Sequence, residues 1–128
     1  LKKGKCCYVK TNWPDISVAV EAILKSGGIP VLAHPKRYSL TNTKLRALME
    51  YFKDCGGIGI EVASSQQKPA DHEYLCELCR KYDFKASLGS DFHNIGPYRE
   101  LGLNLSIPDD LKKVWQTPQA EPYHFPQN

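Results

Sequence analysis

Apolar residues fall along this chain in two periods that take turns. In "WPDISVAVEAILKSGG" (13–28), Ile16, Ala19, Val20, Ile23 and Leu24 recur at three- and four-residue spacing, behind a Pro-Asp start and ahead of a Gly-Gly stop. That predicts an amphipathic helix of about three turns. "IPVLAHP" (29–35) is instead a short continuous apolar run bounded by Gly and Pro, the pattern of a strand buried on both faces, and it ends at His34. The alternation then repeats. Leu45, Leu48, Met49 and Phe52 mark a second helical stripe closed by "CGG" at 55–57, and "IGIEV" (58–62) follows as a second buried strand. Leu75, Leu78, Cys79 and Tyr82 mark a third stripe, with "FKASL" (84–88) after it. Three helix–strand pairs in succession predict an α/β fold with a parallel sheet, because parallel neighbours need a crossover helix between them and cover on both faces. Beyond these, "LGLNLSIP" (101–108) alternates like a further strand, "DDLKKVWQ" suits a short helix, and "TPQAEPYHFPQN" reads as a polar tail without structural pattern.

A length of 128 residues with 41% hydrophobic and 24% charged side chains suits one folded domain with one core. The net charge of +3 neither argues for nucleic acid by itself nor repels an anionic substrate. No apolar run approaches the roughly 20 residues that cross a bilayer. The start "LKKGKCCYVK" lacks the apolar core of a signal peptide, and the five cysteines are odd in number and irregularly spaced. A cytoplasmic protein with reduced thiols and no membrane partner is therefore expected.

Chemistry-bearing side chains recur at one topological place. His34 ends the first strand, Glu61 the second, and Asp91 and His93 follow the third in "SLGSDFH" (87–93). In parallel α/β folds the carboxyl ends of the strands form the active-site face. Asp91 and His93 are two apart, so in extended backbone both project to one side and can share a cation. An imidazole and a carboxylate together suit Zn²⁺, Mn²⁺ or Fe²⁺, and such an ion lowers the pKa of water enough for hydrolysis at neutral pH. A serine nucleophile at Ser90 is the weaker reading, because the nucleophile elbow needs Gly on both sides as G-x-S-x-G, whereas Asp91 follows Ser90 directly. Ser90 instead orients a ligand or caps a turn. Arg37 can grip a phosphate with two N–H groups and Tyr38 can stack on a base, but a solvated surface loop accounts equally well for Lys36, Arg37 and Tyr38 and for the "SSQQ" run at 64–67 on the same rim. Cys76 and Cys79 form C-x-x-C in mid-helix with no second pair, and read as small buried hydrophobes. Cys6 and Cys7 are adjacent, which suits joint ligation poorly, and His72 is expected to face solvent.

"AHPKRY", "IEVASSQQ" and "GSDFH", together with "WP" before the first helix and "GGIPVLAHP", closely resemble the PHP (polymerase and histidinol phosphatase) superfamily of metal-dependent phosphoesterases. The similarity runs from about Tyr8 to Trp115. Within that superfamily the chain looks like the branch often labelled TrpH, which holds RNase AM-type 5′ to 3′ exoribonucleases and 3′,5′-nucleotide bisphosphate phosphatases. The resemblance implies a distorted (β/α)₇ barrel with a two- or three-ion cluster. Mn²⁺ is the foremost expectation, with Zn²⁺, Fe²⁺ or Mg²⁺ as alternatives, and the ions activate water against a phosphate ester of RNA 5′ ends or small nucleotides. By position, His34 matches the histidine of the family's AHP, and Asp91 and His93 match its final D-x-H pair, all associated with the cluster and the last two with catalysis. Glu61 matches a characteristic glutamate that is either a ligand or a supporting residue. Arg37, Tyr38 and Ser90 fall on the substrate side.

Family members open with an H-x-H pair that this sequence lacks; its four histidines are His34, His72, His93 and His124. Residues 1–117 are therefore expected to form the C-terminal half of a PHP barrel and 118–128 a polar tail. The half would be inactive alone, with the missing N-terminal half as its partner. Open sheet edges also predict self-association. A half-barrel that holds nucleotide or RNA without turnover, or an inactive fragment, is the competing expectation.

Overall fold

The computed structural model describes residues 14–95 and 105–123. Helices α1 (Ile16–Lys25), α2 (Asn42–Asp54) and α3 (Pro69–Lys81) alternate with strands β1 (Val31–Leu32), β2 (Gly59–Ser64) and β3 (Lys85–Gly89). The sheet is parallel throughout, in the order β1-β2-β3, as the alternating pattern requires.

The three helices stop by one device. In α1 the amides of Gly27 and Gly28 donate to the carbonyls of Leu24 and Ile23; in α2 Gly56 and Gly57 donate to Lys53 and Phe52; in α3 Asp83 and Phe84 donate to Arg80 and Cys79. This paired bonding satisfies the last carbonyls and needs a left-handed residue at its first position. Gly27 (φ 79°) and Gly56 (φ 100°) take that conformation freely, while Asp83 (φ 51°) takes it despite its Cβ. Each stop turns the chain directly into the next strand.

Strand β1 is shorter than its apolar run because prolines bracket it. Pro30 has no amide to give the ladder, and its carbonyl accepts from both Ile58 and Gly59. Strand β2 lies between its neighbours, with Ile60 and Val62 fully buried. They pack against Leu45, Met49 and Phe52 of α2, Leu75 and Cys79 of α3, and Phe84 and Ala86. The α1 stripe is only partly covered: Val20 is buried, whereas Ile23 and Leu24 are 38% and 39% exposed.

Three expectations need correction beyond β3. Residues 101–104 of the run "LGLNLSIP" lie outside the described residues, and 105–108 form no strand; Leu105 and Ile107 pack on the core instead. The sheet continues at Lys113, which bridges Ala86 in parallel fashion while the Ala86 amide donates to Lys112. That bridge holds Lys113 extended, so "DDLKKVWQ" makes only a 3-10 turn at Val114–Gln116. The first part of the tail is packed rather than patternless, since Pro118–Tyr123 forms a 3-10 helix and Thr117 and Ala120 are buried. Trp13, Cys6, Cys7 and His124 lie outside the described residues.

Candidate active site

The chain leaves β1 sharply. His34 sits at φ 34°, ψ 56°, a left-handed conformation, and caps the 3-10 turn Pro35–Tyr38. Tyr38 folds back on it: the phenol donates to the Ala33 carbonyl at 2.5 Å, and its ring meets the His34 imidazole edge-on at 5.6 Å. Burial, and then the negative charge of Glu61, push the Tyr38 phenol pKa up. The imidazole is thus held from one side, and its Nδ1 is buried without a hydrogen-bond partner.

Glu61 lies on β2 two residues past Gly59, so both face the same side of the sheet. At Gly59 a Cβ would fall 2.7 Å from Val114, so only a glycine lets the 3-10 segment cross that face at the strand's start. At the other end Glu61 has a buried Oε1 with no partner. Burial raises the carboxyl pKa; the negative charge of Asp91 acts the same way, while the charges of His34 and Arg37 and the His34 backbone amide oppose it. A Cβ on Gly89 would stand 3.3 Å from Glu61 Oε2, so glycine there leaves the carboxylate its room.

Asp91 follows β3, also left-handed at φ 52°. Its carboxylate receives the Arg37 guanidinium, whose Nη2 also donates to the Ser65 carbonyl at 3.2 Å. His93 Nδ1 donates to the Asp91 carbonyl at 2.8 Å and lies 3.5 Å from Asp91 Oδ1, although the side chain is 70% exposed. Ser90 lies between β3 and Asp91 and is partly exposed. Three adjacent parallel strands thus deliver His34, Glu61 and Asp91 to one rim, with Arg37 reaching across from the first to the third.

Of the five non-glycine residues with positive φ among the described residues, His34, Ser39, Gln66 and Asp91 lie in the loops that follow the strands, and Asp83 is the helix stop. Backbone strain of this kind collects at functional sites. Among the described residues, no three His, Cys, Asp or Glu side chains stand ready to hold one metal ion. His34 Nδ1 and Glu61 Oε1 nonetheless offer a nitrogen and an oxygen with no protein partner, and that donor pair fits a divalent transition metal.

Beside the rim, a cleft of about 150 Å³ opens between His34, Arg37 and the loop Ser64–Lys68. Gln67 closes that loop by accepting from the Ser64 amide. Lys36 lines the same cleft, bonded there to Asp71, and it also reaches Asn42 and lies over the Tyr74 ring. The C-x-x-C pair is free and buried, and burial drives the Cys79 thiol to about 12. His72 corrects the sequence reading: although partly exposed, its ring turns inward, where Nδ1 bonds the Val62 carbonyl at 3.0 Å and Nε2 lies 3.7 Å from Cys76 Sγ. The signal was available, because His72 and Cys76 are four apart beside the Leu75–Cys79 stripe.

No family model matches the chain. It is 44% identical over 117 residues, 91% of its length, to the 5′-3′ exoribonuclease Rnm of Salmonella typhimurium. It is 35% identical over 121 residues, 94% of its length, to a 3′,5′-nucleoside bisphosphate phosphatase of Chromobacterium violaceum. The chain spans 40% and 42% of these two relatives. Among solved structures, an amidohydrolase from Chromobacterium violaceum with bound sulfate and no metal superposes with a TM-score of 0.73 at 33% identity, over 89% of this chain and 39% of that one. A Bifidobacterium adolescentis protein described as a metal-dependent phosphoesterase superposes with a TM-score of 0.64 at 25% identity, over 82% and 37%.

Proposed function

We propose that the complete protein is a metal-dependent phosphoesterase of the PHP type acting on RNA 5′ ends or small nucleotides, with this chain as its C-terminal part; its similarity to a 5′-3′ exoribonuclease and a 3′,5′-nucleoside bisphosphate phosphatase supports the reading. What carries the reading is the meeting of His34, Glu61 and Asp91 at the carboxyl ends of three neighbouring parallel strands, two of them with orphaned buried lone pairs. A buried carboxylate oxygen and a buried imidazole nitrogen left without partners are costly unless a cation completes them. His34, Glu61, Asp91 and His93 are the residues to hold divalent ions, with Mn²⁺ the foremost candidate. Bound there, the ions would acidify a water and polarise the phosphate.

The chain's own residues supply the rest. Asp91 and His93 orient the reacting water, the Asp91 backbone carbonyl fixing which imidazole nitrogen carries the proton. Arg37 is long enough to leave Asp91 for a substrate phosphate, which its planar fork matches. Tyr38 offers a partly exposed ring beside His34 for a base, and Ser90 a hydroxyl on the substrate side. We assign residues 1–117 to the C-terminal half of the barrel and 118–128 to the tail. The rest of the barrel, or a second copy, covers the outer edge of β1, and the chain by itself is inactive. The free thiols among the described residues, and the lack there of any helix long and apolar enough to cross a membrane, support a cytoplasmic setting.

Asp91→Ala in the complete protein tests the reading: Mn²⁺-stimulated release of mononucleotide from 5′-monophosphorylated RNA, or of phosphate from a 3′,5′-bisphosphate, should fall at least about a hundredfold. Retained turnover of both substrates would refute it.

A further inference from the structure

The β2–β3 pairing runs Glu61↔Ser87 and then Ala63↔Leu88, so Val62 is an extra residue with nothing opposite it. Such a bulge re-aims the side chains around it and leaves one residue outside the ladder. Here the Val62 carbonyl is taken by His72 Nδ1, 3.0 Å away in the first turn of α3. A carbonyl only accepts, so Nδ1 carries the proton and Nε2 carries the lone pair. That second nitrogen faces Cys76 Sγ one turn further on, where the thiol, 2% exposed, donates back. With both ring nitrogens engaged, the imidazole is fixed between helix and strand. The Cys76–His72 pair is too buried to attack a substrate, and burial also raises the thiol's pKa. What His72 also touches is the bulge, through the Val62 carbonyl, and the pair acts there.

We propose that His72 is a positioning residue that holds the β2 bulge, and through it sets the direction of the Glu61 carboxylate. Glu61 is the residue before Val62, so any relaxation of the bulge rotates it first. Without a donor at Val62, regular two-residue alternation becomes the cheaper course for β2, and a one-residue slip exchanges the faces of the sheet. Glu61 then loses its place opposite Gly89 and beside His34. The proposal rests on Glu61 serving the metal site.

The test uses a pair of polar variants in the complete protein. His72→Asn keeps an N–H where Nδ1 stands; His72→Gln places its amide where Nε2 stands and leaves Val62 unpaired. Mn²⁺ binding is followed by calorimetry, alongside the Mn²⁺ concentration for half-maximal hydrolysis and the KM for substrate at saturating Mn²⁺. We expect His72→Gln to weaken Mn²⁺ about tenfold with an unchanged KM, and His72→Asn to stay near wild type. Equal Mn²⁺ affinity in the Gln variant and wild type, or equal weakening in both variants, overturns the proposal. Glu61→Gln separates this from the premise. If it leaves Mn²⁺ affinity unchanged, Glu61 is no ligand and the reading of the site fails; if it weakens Mn²⁺ while His72→Gln does not, only the positioning role fails.

Discussion

Replacing Glu61 by Gln should make the metal-free protein more stable while removing what the metal gives it. The carboxylate is partly buried, one oxygen has no partner, and its pKa is raised above the ordinary 4.5 by burial and by Asp91, against the pull of His34 and Arg37. A raised carboxyl pKa means that the folded state holds its proton longer than the unfolded chain. Wild-type stability is therefore unpenalised below the unfolded value and declines as pH climbs through the folded one. Gln has nearly the same shape and no charge. An unpaired buried polar group costs about 1–3 kcal/mol, and Gln still leaves one polar atom there, so the gain near neutral pH should be about 1 kcal/mol. It should shrink to nothing near pH 4, where both side chains are neutral.

Divalent metal reverses the order. At a hundred times its dissociation constant a bound ion adds about 2.7 kcal/mol to the wild type, and a variant lacking a ligand forgoes most of that. Urea unfolding followed by circular dichroism, in chelator and in Mn²⁺ at several pH values, measures both effects. Comparing the two variants at each pH cancels the other titrating groups. The reasoning is refuted if Glu61→Gln is the less stable protein in chelator at pH 8, or if the difference between the variants does not change with pH.

The remaining expectations are simpler. Asp83→Gly replaces a strained left-handed residue by the one that the other two helix stops use, and should stabilise the fold by about 0.5–1 kcal/mol in the same urea assay. Arg37→Ala in the complete protein should raise the KM for a phosphate ester about tenfold or more. It should leave Mn²⁺ affinity equal or tighter, because the guanidinium no longer competes for Asp91; steady-state kinetics with a Mn²⁺ titration decides. The isolated chain should sediment as a dimer or larger at micromolar concentration, since the outer edge of β1 is unpaired among the described residues.

Periodicity made the sheet legible because each element carries its own signal: a stripe, a two-glycine stop, a short apolar run. The stripe Leu45, Leu48, Met49 and Phe52 fell within α2, and "IGIEV" within one residue of the start of β2. The failures share a cause. "LGLNLSIP" alternates convincingly, yet at 105–108 its apolar positions serve the core without pairing, and Lys113 takes the place in the sheet that local pattern awarded elsewhere. His72 departs from its local pattern for the same reason. Polar residues on a helix face solvent by default; the four-residue spacing to Cys76 points inward, but the acceptor itself comes from the bulge in β2, which no local pattern announces.

Regularity and irregularity divide between the two ends of the sheet, and that division is itself evidence about the site. At the amino ends the chain is economical: three helix stops of one hydrogen-bond pattern feed three strands, Asp83 being the one strained residue there, and Gly59 admits Val114 against the sheet. At the carboxyl ends nearly every element breaks a rule. β1 ends after two residues, His34 turns left-handed before a proline, β2 bulges at Val62, and Asp91 turns left-handed after β3. Each departure costs free energy that a purely structural rim would shed over time by substitution, a glycine at His34 or Asp91 being the simplest relief. Instead the strained positions carry an imidazole and a carboxylate, and the bulge aims a third such group between them. The cost is most simply understood if those side chains must stand where they do, which ties the irregular backbone to the chemistry more firmly than any one residue does alone.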